Sequence, residues 1–216
     1  MMRRRRGAIA ARREWSSRPL TAPLARFLAS GVGQALITPR ADRIIDLIDL
    51  RPGKRYLDIG CGTGAYARLL AGRVGLDRDP VLADIVPGPG PVDVVVWPER
   101  LPFPDRSFDA VTSLHFIRRF DDDVVRAFAQ ELSRILAPGG HALVVEVAPV
   151  RNPALNRLHE WLLRPGCASV DLRGWGRLAA LFTGCGFGAI DLVNPGPFLF
   201  PPIPRVGVLL RHYPEP

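Results

Sequence analysis

The sequence predicts an α/β fold built on a mostly parallel sheet that helices cover on both faces. Short apolar runs rich in valine alternate along the chain with helical patterns, which is the order expected of βαβ units. Residues 56–64, Tyr-Leu-Asp-Ile-Gly-Cys-Gly-Thr-Gly, join such a run to a glycine turn and then to a helical pattern. With 216 residues and 47% hydrophobic content, the chain is large enough for one domain with a sizeable core.

The first half of the chain is predicted to alternate helices and strands around this glycine turn. A helix over residues 40–50 is indicated by its apolar stripe and by the Pro52-Gly53 pair that follows it. In chain order, the predicted elements are helices over 24–36 and 40–50, a first strand running into Asp58, a helix over 65–71, a strand over 73–77, a truncated helix over 80–86 and a strand over 92–97.

The second half is predicted to continue the alternation. Residues 195–204 are rich in proline and are expected to form a loop between the last two strands, not a domain linker. The predicted elements are a fourth strand over 108–114, a helix over 122–136, a turn at 138–140, a fifth strand over 141–147, helices over 152–163 and 172–183, and two last strands over 187–193 and 206–212.

The net charge of +8 is concentrated in the first residues of the chain. Residues 1–20 hold seven arginines and one glutamate, whereas the other 196 residues carry 22 basic and 20 acidic side chains. The segment 1–20 is therefore predicted to be a basic, disordered or loosely helical arm before a single domain over 21–216. Such an arm could contact an anionic surface weakly or be a solvated extension without a role. A nearly neutral domain gives no reason to expect a specific nucleic-acid partner.

The cysteines and the hydropathy pattern indicate a cytoplasmic protein. Cys61, Cys167 and Cys185 form no C-x-x-C pair, which argues against a disulfide framework or a metal site. The arginines near the start are not followed by an apolar segment of signal-peptide length. No apolar run approaches the roughly 18 residues of a membrane span, so no transmembrane segment is expected.

The glycine turn has a spacing that indicates its ligand. Gly60, Gly62 and Gly64 stand at alternate positions after Asp58, and they let a ligand approach backbone where any Cβ would collide. A dinucleotide-binding loop reads G-x-G-x-x-G, whereas position 65 here is alanine. The run D-x-G-x-G-x-G resembles motif I of the class I S-adenosylmethionine-dependent methyltransferases.

Two further segments extend this resemblance in the same order along the chain. Residues 101–111, Leu-Pro-Phe-Pro-Asp-Arg-Ser-Phe-Asp-Ala-Val, and 131–140, Glu-Leu-Ser-Arg-Ile-Leu-Ala-Pro-Gly-Gly, look like the approaches to the family's fourth and fifth strands. The match is closest to the small-molecule, methyltransferase type 11-like group. It implies a Rossmann-like, doubly wound, mostly parallel seven-stranded sheet with an antiparallel last strand. It also implies a cofactor-binding part over 40–148, which holds S-adenosylmethionine, and an acceptor-side part over 149–216.

The resemblance assigns roles near the ribose and methionine parts of the cofactor. The glycine turn, with Cys61 as a small spacer, should pack against them, and Asp58 should lie near the cofactor's ammonium, directly or through water. Asp77, followed by Arg78, ends the predicted second strand, where the family places an acid that accepts hydrogen bonds from both ribose hydroxyls. Asp79 is the alternative acid, and Asp77 could instead be a helix cap or a turn residue.

The adenine side departs from the family pattern at Trp97. Relatives often carry there an acid that meets the adenine amino group, and an indole cannot accept that hydrogen bond. Trp97 could stack on adenine or simply belong to the core, and Glu99 could supply the acceptor. The truncated helix over 80–86, followed by Pro-Gly-Pro-Gly-Pro, predicts a thinner wall on this side.

The end of the fourth strand is where this architecture places the methyl group. Ser113 and His115 face that position, and a histidine has a pKa suited to proton removal, although His115 could equally be a packed side chain. Arg118 and Arg119 could meet an acidic substrate or be solvated. The apolar residues 197–203 could roof an acceptor pocket, touch a membrane surface or pack on the core.

The favoured function is therefore methyl transfer from S-adenosylmethionine to a small, apolar acceptor. An RNA methyltransferase is one alternative, although residues 113–116 read Ser-Leu-His-Phe and not the Asn/Asp-Pro-Pro-aromatic run of amino-directed base methylation. A catalytically degenerate partner protein is the other, because the shortened second unit and Trp97 could weaken cofactor binding. The glycine spacing disfavours a dehydrogenase.

Overall fold

The computed structural model describes residues 41–85, 92–163, 170–196 and 204–213. The predictions for the basic segment 1–20, the helix over 24–36, Cys167 and the apolar residues 197–203 lie outside the described residues. Among the residues described, no helix is long and apolar enough to cross a membrane.

Seven strands form one sheet. In chain order they are β1 (Tyr56–Ile59), β2 (Val81–Asp84), β3 (Val94–Val95), β4 (Phe108–Leu114), β5 (Leu136–Val147), β6 (Ala189–Val193) and β7 (Arg205–Arg211). Their order across the sheet is β3-β2-β1-β4-β5-β7-β6. Neighbours from β3 to β5 are parallel, and β7 is antiparallel to both β5 and β6. The predicted doubly wound, mostly parallel sheet with an antiparallel last strand is confirmed.

Helices separate most of the strands. They are α1 (residues 41–47), α2 (Ala65–Val74), α3 (Asp122–Ile135), α4 (Pro153–Leu163) and α5 (Trp175–Phe182), with one 3-10 turn at Ile117–Arg119. The start of α3 is capped by Asp121, whose carboxylate accepts a hydrogen bond from the Val124 N–H at 2.9 Å. Most of these bounds agree with the predicted ones to within three residues.

The sheet is buried on both faces, which explains the nearly continuous apolar runs of its central strands. On one face α3 and α5 pack over side chains such as Leu57 and Val111. On the other face α1 and α2 pack over Tyr56 and Leu143. Because side chains alternate along a strand, each strand contributes to both layers.

The prediction of a strand over 73–77 is wrong, and so is the helix predicted over 80–86. α2 continues to Val74 and ends at Gly75, whose φ of 63° is a left-handed cap conformation that glycine adopts readily. The second strand forms later, over Val81–Asp84, and pairs in parallel with β1. A four-residue apolar run shows no periodicity that separates strand from helix, so only its partner strand identifies it.

The turn predicted at 138–140 is an irregularity within β5. Phe108 pairs with Leu136, and Ala110 then pairs with His141, so β5 has extra residues opposite a two-residue step of β4. Gly139 lies within this bulge and has a φ of 71°. The Pro-Gly-Gly sequence thus forms a bulge within β5 and does not end the strand.

Candidate functional site

Two glycines of the turn between β1 and α2 are required by packing. Gly60 has a φ of 80°, and a Cβ there would lie 2.7 Å from the Phe116 ring. Gly64 has a φ of 69°, and a Cβ there would lie 2.4 Å from a Leu82 methyl group. Any side chain at either position would have to displace core atoms as well as strain the backbone.

Gly62 is different, because a Cβ there would meet no atom of the residues that the structure describes within 4 Å. Its φ of 56° still favours glycine, and it faces open space at the carboxyl edge of the sheet. In open α/β sheets ligands bind at this edge. The turn therefore has one bare backbone surface at the place where such a fold binds its ligand.

The N–H groups of the turn are already bonded within the protein. Gly60 and Cys61 both donate to the Ala83 carbonyl, at 2.8 and 3.2 Å, and Gly64 donates to the Cys61 carbonyl at 2.8 Å. Gly62 donates to Oδ2 of Asp84 at 3.0 Å. The glycines thus provide close approach for a ligand, while most of their N–H groups tie the turn to β2.

Asp84 ends β2 beside this open space. Its Oδ2 accepts from the Gly62 N–H and its Oδ1 accepts from the Ile85 N–H at 2.7 Å, so the carboxylate is held in one orientation. Sequence reasoning missed Asp84. The available signal was the run Val-Leu-Ala-Asp, an apolar strand that ends in an acid.

Asp77 and Arg78 lie elsewhere. Both are exposed in the turn between α2 and β2. A Cβ added at Gly53, which precedes β1, would lie 3.8 Å from Oδ2 of Asp77. Asp77 is therefore near the amino end of β1, at the opposite edge from the glycine turn. The prediction that Asp77 and Arg78 follow the second strand is wrong because that strand begins after them.

Asp58 is buried and accepts the last hydrogen bond of a short chain that begins at Tyr56. Thr112 donates to Oδ1 of Asp58 at 2.6 Å, and the Tyr56 hydroxyl lies 2.7 Å from Oγ1 of Thr112. Burial raises the pKa of Asp58 to about 7, and the nearby charge of Asp84 acts in the same direction. The hydrogen bond from Thr112 lowers the pKa in part. This carboxyl therefore titrates near neutral pH and would be stabilised as an anion by a cation placed beside it.

Cys61 is a half-buried member of the turn. Burial and the charges of Asp58 and Asp84 raise the pKa of its thiol to about 12. A thiol that stays protonated at neutral pH is a poor nucleophile. The interpretation of Cys61 as a small spacer fits this chemistry.

Ser113 and His115 stand at the end of β4, as predicted, with different environments. Ser113 is buried and follows Thr112 by one residue, so its side chain is on the opposite face from Asp58. Its Oγ has no hydrogen-bond partner among the described residues.

His115 is half-buried and adopts a φ of 59°, a conformation uncommon for a residue with a Cβ. Such strain is concentrated at functional sites.

The imidazole of His115 is neutral at physiological pH. Burial lowers its pKa to about 3, and the positive charges of Arg118 and Arg205 act in the same direction. The backbone N–H of His115 donates to the Val145 carbonyl at 2.7 Å, which fixes the residue against β5. His115 can thus accept a hydrogen bond, but it is a weak proton acceptor.

Glu146 on β5 is a further buried group at this edge that sequence reasoning missed. Its Oε1 accepts from the Arg118 N–H at 3.1 Å, and its Oε2 lies 3.9 Å from the Arg118 guanidinium. Burial raises the pKa of Glu146, and Arg118 lowers it in part. Arg118 therefore helps to neutralise a buried acid, which differs from the predicted roles of binding an acidic substrate or being solvated.

Trp97 lies near Asp84 on the outer side of the sheet. Its neighbour Val96 donates to the Asp84 carbonyl at 2.9 Å, and the Trp97 side chain is half-buried against the core. Glu99 is exposed in the turn that follows. Stacking on a ligand and packing on the core are both compatible with this position, so the role of Trp97 stays a prediction.

The sheet order, the antiparallel β7 and the glycine turn after β1 together form the fold of the class I S-adenosylmethionine-dependent methyltransferases. Residues 33–187 match the model of a family described as a methyltransferase domain. The chain belongs to this family.

Named relatives support the same class. A ubiquinone/menaquinone biosynthesis C-methyltransferase UbiE from Ectopseudomonas mendocina is 36% identical over 133 residues, which are 54% of this chain and 50% of the relative. A nocamycin O-methyltransferase from Saccharothrix syringae is 35% identical over 147 residues, 62% of this chain and 50% of the relative. The chain thus spans about half the length of the curated relatives it matches.

A solved structure with the same fold comes from the complex between the Haloferax volcanii Trm112 methyltransferase activator and its methyltransferase. It superposes with a TM-score of 0.61 over 88% of this chain and 97% of the other, at 17% identity. At this identity the likeness shows the fold alone.

Proposed function

We propose that this chain transfers a methyl group from S-adenosylmethionine to a small, apolar acceptor. The observation that carries the proposal is the open backbone surface at Gly62, whose N–H donates to the carboxylate of Asp84 and whose turn follows the strand that carries the buried carboxyl of Asp58. A cofactor with a ribose diol and an ammonium matches these two acids. The Cβ-free backbone at Gly62 suits close approach by the part that joins the two ends of the cofactor.

Asp84 is proposed to accept the hydrogen bonds of the ribose hydroxyls, in place of Asp77. A carboxylate is acceptor-only and has about four lone-pair sites. The N–H groups of Gly62 and Ile85 each donate to one oxygen of Asp84 and so orient the carboxylate at the end of β2. Trp97, next along the same edge, is proposed to stack on the adenine.

Asp58 is proposed to balance the ammonium of the cofactor. A buried carboxyl with a pKa of about 7 is poised to ionise when a cation arrives. Thr112 keeps the carboxyl oriented by donating to one oxygen. The predicted role of Asp58 is kept, while the hydrogen-bonded chain that positions it is an addition from the structure.

When bound, S-adenosylmethionine supplies an electrophilic methyl group, so the chain's own task is to align the acceptor and exclude water. His115 is proposed to accept a hydrogen bond from the acceptor, because a neutral imidazole has one unprotonated ring nitrogen. With a pKa of about 3 it orients an acceptor hydroxyl better than it removes its proton. An acceptor whose attacking group is already ionised or electron-rich suits this site.

The names of two relatives favour an apolar ring compound as the acceptor. They are named for a C-methylation in ubiquinone and menaquinone biosynthesis and for an O-methylation of nocamycin. Asp84 at the end of β2 also removes one ground for a degenerate partner protein, since an acid does end the second strand. We therefore favour a phenol- or quinol-like acceptor over the partner-protein alternative.

A methyl-transfer assay tests this function. Labelled S-adenosylmethionine would be incubated with hydrophobic quinols, small polar phenols and bulk tRNA, and the label followed in each acceptor. We expect label in a hydrophobic ring compound, and about 10- to 100-fold less of it with the Asp84→Asn variant at a limiting cofactor concentration. Label in tRNA alone would establish the RNA alternative, and cofactor binding without transfer to any acceptor would favour the partner protein.

A further inference from the structure

The helix after β5 exposes an apolar stripe. Leu155, Leu158 and Trp161 on α4 are 39%, 47% and 69% exposed, and their spacing of three residues aligns them along one side of the helix. Large apolar side chains that are grouped and exposed mark an interaction surface more often than isolated ones do. We call these three residues the α4 stripe.

The inward side of the same helix is polar. Asn156 and Glu160 are half-buried and His159 is buried. Asn156 accepts from the Val150 N–H at 2.7 Å and donates to the Val150 carbonyl at 2.8 Å. A helix that packs on a core normally points its apolar side inward. The reversed polarity of α4 means that burial within the described fold does not account for its stripe.

The border of the stripe is basic. Arg151 and Arg157 are exposed, and the acid of this segment, Glu160, is turned towards the protein. Within residues 151–161 no exposed acid stands beside the stripe. An apolar strip with arginines at its margin and a tryptophan within it complements the headgroup region of an anionic bilayer.

We propose that α4 docks the protein on an anionic lipid bilayer, with the α4 stripe among the headgroups and the arginines on lipid phosphates. α4 begins six residues after β5 ends, at the carboxyl edge of the sheet, so docking brings the candidate site to the lipid surface. The inference rests on the proposed function in one respect, because the bilayer is where an apolar acceptor would be found.

A second copy of the chain fits the stripe less well. Even a fully covered tryptophan contributes only about 150–250 Å², whereas each partner of a standard interface buries about 800 Å². A bilayer needs no such area, since apolar insertion and charge attraction add to each other. The seven arginines of residues 1–20 give the chain a second basic element for the same surface.

Co-sedimentation with vesicles tests the proposal, using phosphatidylcholine vesicles with and without phosphatidylglycerol at low and high salt. We expect the full chain to bind the anionic vesicles. Trp161→Ser should weaken this binding roughly ten-fold at either salt concentration. Arg157→Glu should weaken it about five-fold or more, chiefly at low salt.

Leu192→Ser is the matched control, because Leu192 is 45% exposed but lies on β6. It should leave vesicle binding unchanged, and thermal unfolding of each variant shows that the fold persists. The proposal is overturned if the wild type binds neither vesicle, or if Trp161→Ser binds as well as the wild type. It is also overturned if light scattering shows a dimer that Trp161→Ser dissociates.

Methyl transfer to a detergent-dispersed acceptor keeps the two proposals separate. Methylation of such an acceptor without vesicle binding would support the proposed function and overturn the docking proposal. Vesicle binding through the α4 stripe without methylation of any acceptor would support the docking proposal and overturn the proposed function.

Discussion

Asp58 is a buried carboxyl whose ionisation lowers the stability of the fold. It is surrounded by Tyr56, Thr112 and the turn, and its charged form is disfavoured there. Below pH about 4 the carboxyl is protonated in both folded and unfolded chains, so it has no effect. Between pH about 4 and about 7 only the folded chain still holds the proton, so stability is progressively lost, and the loss is complete once the pH exceeds the folded pKa of about 7.

The Asp58→Asn variant should therefore unfold less readily than the wild type at high pH. We expect similar free energies of unfolding near pH 4 and a difference on the order of 4 kcal/mol, as an upper value, well above pH 7. Urea unfolding at a series of pH values measures it. A difference that is independent of pH would show that folding does not shift the pKa of Asp58.

The glycines of the turn can be separated by what a methyl group would meet. Gly60→Ala should destabilise the fold by about 3 kcal/mol or more, because the left-handed φ and the Phe116 ring both oppose it. Gly62→Ala should lower the free energy of unfolding by only about 1–2 kcal/mol, because backbone strain is its only cost. It should nevertheless weaken S-adenosylhomocysteine binding at least ten-fold. Thermal unfolding and calorimetry measure the two effects. Unchanged binding by Gly62→Ala would refute the close approach of cofactor to this backbone.

At the scale of elements, Arg173 holds the segment after β4 against the start of α3. The side chain is buried and donates to the Ile117 carbonyl at 3.2 Å, the Phe120 carbonyl at 2.6 Å and the Asp122 carboxylate at 2.8 Å. This contact fixes the 3-10 turn that follows His115. The position of the candidate catalytic edge thus depends on an arginine from the loop before α5.

Arg173→Ala should destabilise the protein by about 3–5 kcal/mol, because it leaves two carbonyls and a carboxylate without their buried donor. Arg177→Ala is the matched control. Arg177 pairs with the same Asp122 and with Asp171 but is 47% exposed, so its removal should cost no more than about 1 kcal/mol. Equal losses in denaturant unfolding would contradict the structural role assigned to Arg173.

Elements with a long periodic pattern were predictable from sequence, and short ones were not. The apolar spacing and N-terminal acids of α3 predicted it to within one residue, and β4 was predicted with the bounds it has. β2 was not, because Val-Gly-Leu-Asp at 74–77 and Val-Leu-Ala-Asp at 81–84 have nearly the same pattern. Pairing with β1, which sequence spacing does not reveal, distinguishes them.

At the scale of the whole molecule, the topology decides which polar residues meet. Asp58 and the glycine turn were predicted because motif and ligand contact lie in one segment. Asp84 and Glu146 were missed because parallel pairing brings the ends of β2 and β5 to that segment across long stretches of chain. The sequence therefore predicted the fold class and the glycine turn better than the acids that strand pairing brings to the carboxyl edge of the sheet.

The central claim is that S-adenosylmethionine is held by the ends of β1 and β2, with Asp84 on its ribose. Calorimetry with S-adenosylhomocysteine tests it through three matched variants. Asp93→Asn is the structural control, because Asp93 accepts from the Leu82 N–H at 2.8 Å as Asp84 accepts from Gly62, but lies before β3. Asp77→Asn tests the acid that sequence reasoning alone selects.

We expect Asp84→Asn to weaken binding about 10- to 100-fold, the loss of one or two charge-assisted hydrogen bonds. Asp93→Asn and Asp77→Asn should bind like the wild type. A loss with Asp77→Asn but not with Asp84→Asn, an equal loss with Asp93→Asn, or no binding by the wild type at millimolar ligand would contradict the account.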